Sequence, residues 1–164
     1  MTFDEWAATA SIIESAGVDI ATYDVGSSDA PVVTYLHGYP SASHDIAPAL
    51  AELDGAGVAV RVVTLDFPGF GASAKPIDHR YSIHACADAV EATWRHYGIT
   101  STVLYAHDYG VSVAQELLAR RTYGTLPMEV TAVGWSNGGL YPDLHRPTIG
   151  QQLLADPEQG PPLA

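Results

Sequence analysis

Short apolar runs rich in β-branched residues alternate with helix-like segments along the whole chain. The strand-like runs are Val32 to Leu36, Val58 to Leu65, Thr102 to Ala106 and Val130 to Trp135. Parallel strands cannot be joined by a tight turn, so each pair needs a crossover connection, which is usually a helix. The alternation therefore predicts an α/β fold with a mostly parallel sheet.

Two further strand-like runs precede this alternation. Ser11 to Glu14 and Val18 to Val25 flank a turn at Gly17, and this short connection predicts an antiparallel pair at the start of the sheet. The predicted helices are one carrying Ile46, Leu50 and Leu53 at helical spacing, one from its N-cap Ser82 to Tyr97, and one from Gly110 to Arg121.

The size and charge of the chain narrow the partners that it can have. Its 164 residues, 47% of them hydrophobic, suit a single globular domain. Nineteen acidic against seven basic side chains give a net charge of −12, which disfavours contact with nucleic acid or anionic lipid. We expect a small-molecule substrate, no nucleic acid and no membrane partner. The oligomeric state is open.

The single cysteine and the N-terminal residues indicate the cellular compartment in which the protein is expected. The single cysteine, Cys86, cannot form an internal disulfide and is typical of a small buried hydrophobe. The first ten residues carry acids where a secretory leader needs positive charge, and no run approaches the ~18 apolar residues of a membrane span. These features predict a cytoplasmic protein.

The segment Ala106-His107-Asp108-Tyr109-Gly110 joins an apolar strand directly to a predicted helix. A turn of this kind, a nucleophile elbow, holds its central residue in a strained conformation, and small residues on either side allow strand and helix to approach closely. Ala106 and Gly110 meet that demand. The central residue, Asp108, is ionised at neutral pH and needs no base to attack carbon, although a simple helix-capping role is the alternative.

A second loop, His37-Gly38-Tyr39-Pro40, follows an earlier predicted strand. Because the carboxyl ends of parallel strands meet at one edge of a sheet, we expect this loop to lie opposite the elbow. Its backbone N–H groups would there stabilise negative charge.

Together with Asp66 to Ser73, these segments resemble the α/β-hydrolase superfamily, and the aspartate at the elbow resembles its haloalkane dehalogenase and epoxide hydrolase branch. The chain is also similar to the group of hydrolases around the mesoderm-specific transcript protein. That similarity spans roughly Ile12 to Leu154 and rests on the elbow, Ala114 to Leu118, Ser136 to Gly139 and His145 to Pro147.

This resemblance implies an α/β-hydrolase fold in which Asp108 is the nucleophile and the N–H groups of Tyr39 and Tyr109 form the oxyanion or halide pocket. His37 and His107 are expected in supporting roles, the first on the oxyanion loop and the second beside the elbow. Dehalogenases usually have tryptophan in place of Tyr109 and asparagine or glutamate in place of Tyr39. The two tyrosines therefore favour opening of an epoxide over displacement of a halide.

Two other motifs compete with this interpretation. Gly134-Trp135-Ser136-Asn137-Gly138 matches the Gly-x-Ser-x-Gly nucleophile pattern, but glycines and a proline follow it where a helix is required. Gly69-x-Gly71-x-x-Ala74 imitates a dinucleotide-binding turn, but Lys75-Pro76 interrupts the helix that would hold the phosphates. We interpret the first as a strand end and the second as a tight turn.

No metal or other cofactor is predicted. His79, His84 and Cys86 lie close together in sequence, yet the side chains of the last two diverge on a predicted helix. Solvated or core histidines are the better interpretation.

The catalytic cycle implied by the resemblance also needs a histidine that activates water. Only 56 residues follow Asp108; His145 aligns with the start of the family's cap, and Asn137 stands where some members have an acid. We therefore expect residues 1–140 to be the N-terminal part of a hydrolase core, truncated after the sixth strand, and residues 141–164 to begin an incomplete cap. The hypotheses are an aspartate-nucleophile hydrolase and, alternatively, a non-catalytic remnant or binding protein.

Overall fold

The computed structural model describes residues 1–141, 143 and 146–158, except for the side chains of 154 and 155. The strands are β1 (Ser11–Ser15), β2 (Val18–Gly26), β3 (Val32–Leu36), β4 (Arg61–Leu65), β5 (Ser101–His107) and β6 (Glu129–Ser136). The helices are α1 (Phe3–Ala7), α2 (Ala47–Gly55), α3 (Ile83–His96), α4 (Tyr109–Thr122) and α5 (Ile149–Ala155), and a 3₁₀ turn, Ser43–Ile46, precedes α2.

The six strands form one sheet in the order β1-β2-β4-β3-β5-β6. β1 and β2 are antiparallel to each other and β2 is antiparallel to β4, whereas β3 pairs in parallel with both β4 and β5, and β5 with β6. This confirms the prediction of a mostly parallel sheet with an antiparallel start. The chain passes from β3 to β4 on one side of β3 and then crosses to β5 on its other side. Such a reversal opens a crevice at the carboxyl ends of the central strands.

Helices cover both faces of the sheet. On one face α3 and α4 pack over a core that includes Leu36, Leu104 and Trp94, all at most 1% exposed. On the other face Trp6 of α1 stacks on Tyr23 of β2 at 4.8 Å, with Ile46 of the 3₁₀ turn in the same cluster. Burial on two faces explains why the central strands are continuous apolar runs instead of alternating ones.

The sequence pattern was wrong at two local points. The strand predicted from Val58 begins only at Arg61, because Val58 donates its N–H to the Leu53 carbonyl and so closes the end of α2. Helix α1 was not predicted, since five residues are too few for a periodic stripe. It is fixed by reciprocal capping bonds between Thr2 and Glu5 and by burial of Trp6.

The predicted division into a core of 1–140 and the start of a cap at 141–164 stays a prediction. The structure describes α5 within the second segment, whereas Pro142, His145 and residues 159–164 lie outside the described residues. None of the helices in the described part of the chain has the length and apolar character to cross a bilayer.

Candidate active site

Asp108 lies between the last residue of β5 and the first of α4, and its backbone is strained. Its φ of 49° and ψ of −114° fall where a residue with a side chain is rarely found. The Asp108 N–H donates to the Ser136 carbonyl of β6 at 2.9 Å, and its carbonyl accepts from the Val111 N–H at 3.0 Å. These two bonds tie the elbow to the end of β6 and to the first turn of α4.

Small residues make this turn possible, as the sequence pattern indicated. A Cβ on Gly110 would overlap the Leu36 carbonyl oxygen of β3, and one on Gly38 would lie 2.8 Å from the Asp108 Cβ. Ala106 is fully buried beneath the elbow. Helix α4 therefore begins in direct contact with the backbone of the central strand.

The Asp108 carboxylate is bound by the loop after β3. The Tyr39 N–H donates to the Asp108 Oδ1 at 2.8 Å, so the two sequence segments expected to meet are in contact. The Tyr109 N–H is at the first position of α4, where a helix supplies no carbonyl partner. The expected role of these two amides in an oxyanion pocket stays a prediction.

His37 determines the direction of the Tyr39 amide. Its Nδ1–H donates to the Gly38 carbonyl at 2.8 Å, and its Nε2 accepts from the Phe67 N–H at 3.0 Å, which fixes one neutral tautomer. The peptide between Gly38 and Tyr39 is planar, so a carbonyl that points to His37 directs the N–H to the opposite side, toward Asp108. His37 is fully buried, and this burial lowers its pKa.

This burial predicts a pH dependence of stability. With the pKa of His37 lower in the folded than in the unfolded chain, the unfolded chain binds more protons as the pH falls below about 6.5, so folding weakens there. We expect this group to change the free energy of unfolding by at most about 1.4 kcal/mol per pH unit. Urea unfolding between pH 7 and 5 should show that His37→Gln removes this slope, whereas the exposed control His96→Gln retains it. Equal slopes in wild type and His37→Gln would contradict the assignment.

A buried carboxylate supports the same loop. Asp66 accepts bonds from the Ser43 N–H at 2.8 Å, the Ala72 N–H at 2.8 Å and the Tyr23 hydroxyl at 3.1 Å. Burial, and next the Asp66 charge, raise the pKa of Tyr23, so that hydroxyl stays a donor. Sequence reasoning gave Asp66 no site role, although an acid directly after a buried strand was the available signal.

His107 and Ser136 lie side by side at the ends of β5 and β6, with the His107 Nδ1 3.2 Å from the Ser136 Oγ. The chain after Ser136 turns at Asn137, whose φ is 54°, and no helix begins before Tyr141. Ser136 therefore lacks the strand-to-helix geometry of a nucleophile elbow. Its carbonyl instead holds the Asp108 amide.

The other candidate motifs also have structural explanations. The Gly69–Gly71 segment is a turn closed by the Phe70 N–H on the Phe67 carbonyl, and no helix begins before α3. His84 pairs with Glu116 at 3.0 Å on the surface, while Cys86 is buried. Among the described residues, no group of three histidine, cysteine or acidic side chains could hold a metal ion.

A cavity of about 1020 Å³ opens over Asp108. Its lining comprises Tyr39, Asp108, Tyr109, Ser112, Asn137, Gly138, Gly139, Leu140, Tyr141, Arg146, Thr148, Gly150 and Gln151. None of these described lining residues is a histidine, and His145, the candidate base, lies outside the described residues. The arrangement therefore places the Asp108 carboxylate and the Tyr39 amide at a cavity large enough for an organic substrate.

Comparison with known proteins agrees with this fold. The family model of the alpha/beta hydrolase fold matches residues 31–133. The mesoderm-specific transcript homolog protein of Bos taurus is 43% identical over 136 residues, which is 80% of this chain and 39% of that protein. A haloalkane dehalogenase of Bradyrhizobium diazoefficiens is 36% identical over 109 residues, which is 64% of this chain and 33% of that protein.

A solved structure shows the same similarity in three dimensions. The haloalkane dehalogenase DbeA of Bradyrhizobium elkani superposes with a TM-score of 0.72 at 28% identity, over 92% of this chain and 51% of that one. The chain thus spans well under half the length of the curated relatives that it matches.

Proposed function

Because this chain belongs to the α/β-hydrolase fold family, we propose that it is a hydrolase in which Asp108 attacks a carbon atom of an epoxide or a haloalkane. The observation that carries the proposal is the strained elbow of Asp108, whose carboxylate is oriented by the Tyr39 N–H at 2.8 Å. Similarity to haloalkane dehalogenases supports it.

In the first step one Asp108 oxygen forms a bond to the substrate carbon. The carbon–oxygen or carbon–halogen bond breaks, and its electron pair leaves on the ring oxygen, which then takes a proton, or on the halide. Since the Tyr39 N–H holds Oδ1, we propose Oδ2 as the attacking atom. The product is an ester of Asp108.

Epoxide opening suits the lining better than halide displacement. The Tyr109 ring stacks on Phe70 at 5.9 Å, and its hydroxyl lies 3.9 Å from the Cys86 Sγ. This hydroxyl is therefore directed to Cys86 of α3 and does not stand in for the tryptophan that dehalogenases usually have at this position.

In the second step water attacks the ester carbonyl, and the resulting oxyanion is bound by the Tyr39 and Tyr109 N–H groups. A base has to take the proton of that water, and the described lining of the cavity contains no histidine. This favours a chain that forms the ester and then stalls. A binding protein without chemistry is the second candidate, supported by the same observation.

Intact-mass spectrometry after incubation with styrene oxide tests the proposal. We expect one adduct per chain, on the peptide that contains Asp108, without steady turnover. The competing thiol Cys86 is buried, which raises its pKa to about 11 and keeps it protonated. An adduct on Ser136 would make the chain a serine hydrolase, no adduct would favour the binding protein, and sustained turnover would identify a base such as His145.

A further inference from the structure

We propose that a second cavity, on the face of the sheet opposite α3 and α4, binds a single-chain alkyl amine. This cavity lies between α2, the end of β2 and the segment that leads into β4. Its volume is about 700 Å³, which is within the range of small-molecule sites. It shares no lining residue with the cavity over Asp108, and the inference is independent of the function proposed above.

Helix α2 lies over this cavity without closing it. None of residues 47–55 is fully buried, although Leu50 packs against the apolar cluster around Trp6 and Leu53 lines the cavity. Further apolar side chains of the lining are Val25, Val58 and Val60. Protein interiors are packed with few voids larger than a water molecule, so an apolar space of this size is one that a ligand can fill.

The cavity is elongated along α2. His44 lines it just before the N-terminal end of the helix, and Asp54 lines it at the C-terminal end. Asp54 is seven residues after Ala47, which at 1.5 Å per residue corresponds to about 10 Å. An extended chain advances about 1.2 Å per bond, so an alkyl chain of roughly eight carbons matches this length.

The charges of the lining determine the end group of that chain. Asp54 is the one acid among the described lining residues, which include no lysine or arginine. Its carboxylate has no hydrogen-bond or ion-pair partner in the part of the chain that the structure describes. At the other end of the cavity, the His44 Nε2–H donates to the Met1 carbonyl at 3.0 Å, and the Met1 ammonium interacts with Glu5. The cavity therefore favours a ligand that is apolar along its length and cationic at the Asp54 end.

The position of Asp54 on α2 strengthens this preference. The C-terminal end of a helix carries a partial negative charge, which a nearby cation stabilises. Helices α3 and α4 have basic residues in their last turns, whereas α2 has none and carries Glu52 and Asp54 there. A ligand ammonium beside Asp54 supplies this positive charge, while the alkyl chain lies along Leu50 and Leu53.

Titration calorimetry with octylamine, octanol and octanoate at pH 7 and low salt tests this inference on the 164-residue chain. The three probes share an alkyl chain and differ in charge, since an alkyl amine is protonated at this pH as a lysine is. We expect one octylamine per chain, bound about fivefold more tightly than octanol, and octanoate bound more weakly than both. Hexylamine, which buries two fewer methylenes, should bind about tenfold more weakly than octylamine.

Matched variants on α2 locate the binding. Asp54→Asn should reduce the preference for octylamine over octanol to about one, whereas Glu52→Gln, at an exposed acid outside the lining, should keep the wild-type ratio. Ala51→Trp adds an indole to the lining and should abolish binding of every probe. Ala49→Trp makes the same change at an exposed position outside the lining and should leave binding unchanged.

Several results would overturn this inference. These are equal affinity for the three probes, a preference for octylamine that survives Asp54→Asn, and binding that survives Ala51→Trp. A wild-type dimer in sedimentation equilibrium that Ala51→Trp converts to a monomer would do the same, because a second copy of the chain would then fill the cavity. If circular dichroism shows that Ala51→Trp does not fold, the comparison of Asp54→Asn with Glu52→Gln still decides. None of these results bears on labelling of Asp108.

Discussion

Replacement of Asp108 by asparagine is expected to abolish labelling by epoxides while the chain keeps its fold. The amide has the size of the carboxylate, and asparagine tolerates positive φ better than most residues, so the elbow at φ 49° can persist. The neutral amide, however, lacks the charge that attacks carbon. We expect a rate loss of about 10³-fold or more, down to the background of the assay.

Matched variants distinguish this loss of labelling from a general loss of folded structure. Asp78→Asn makes the same chemical change at an exposed site, and Ser136→Ala removes the hydroxyl of the competing motif. Both should be labelled at the wild-type rate, and circular dichroism should show equal melting for all variants. Labelling that survives in Asp108→Asn but disappears in Ser136→Ala would assign the chemistry to the serine.

The part of the site that sequence could predict is the part that local pattern determines. Five consecutive letters around Asp108 combine a strand end, a turn and small neighbours, and the structure shows the strain and close approach that this combination requires. Contact between Tyr39 and Asp108 followed from a general rule, because both lie at carboxyl ends of parallel strands. The catalytic roles of these residues remain predictions.

What sequence could not predict depends on contacts between distant segments. The Phe67 N–H that fixes the His37 tautomer and the Ser43 N–H that binds Asp66 are 30 and 23 residues from their partners. Val58 shows that a local contact can also be missed. A β-branched run is compatible with a strand, yet the N–H of Val58 is used to end α2. In each case the competing interaction is visible only once the chain is packed.

A single methyl group on Gly110 is expected to disrupt both the fold and the site. In an isolated helix alanine is about 1 kcal/mol better than glycine, so propensity alone would make Gly110→Ala stabilising. At this position, however, the added Cβ overlaps the Leu36 carbonyl oxygen, a backbone atom of the central strand that cannot rotate away. We expect overpacking to outweigh propensity, with a net loss of about 2 kcal/mol or more in the free energy of unfolding.

The same clash pushes α4 away from β3, and Asp108 is the first residue that has to move. Its separation from the Tyr39 N–H should increase, so labelling of Asp108 should fall at least about tenfold even at temperatures where the variant is folded. Gly55→Ala in α2 is the matched control, because a Cβ there meets nothing within 4 Å and φ is not positive. If Gly110→Ala melts and reacts like Gly55→Ala, helix α4 does not start against the β3 backbone, and the elbow geometry on which the proposed chemistry depends is wrong.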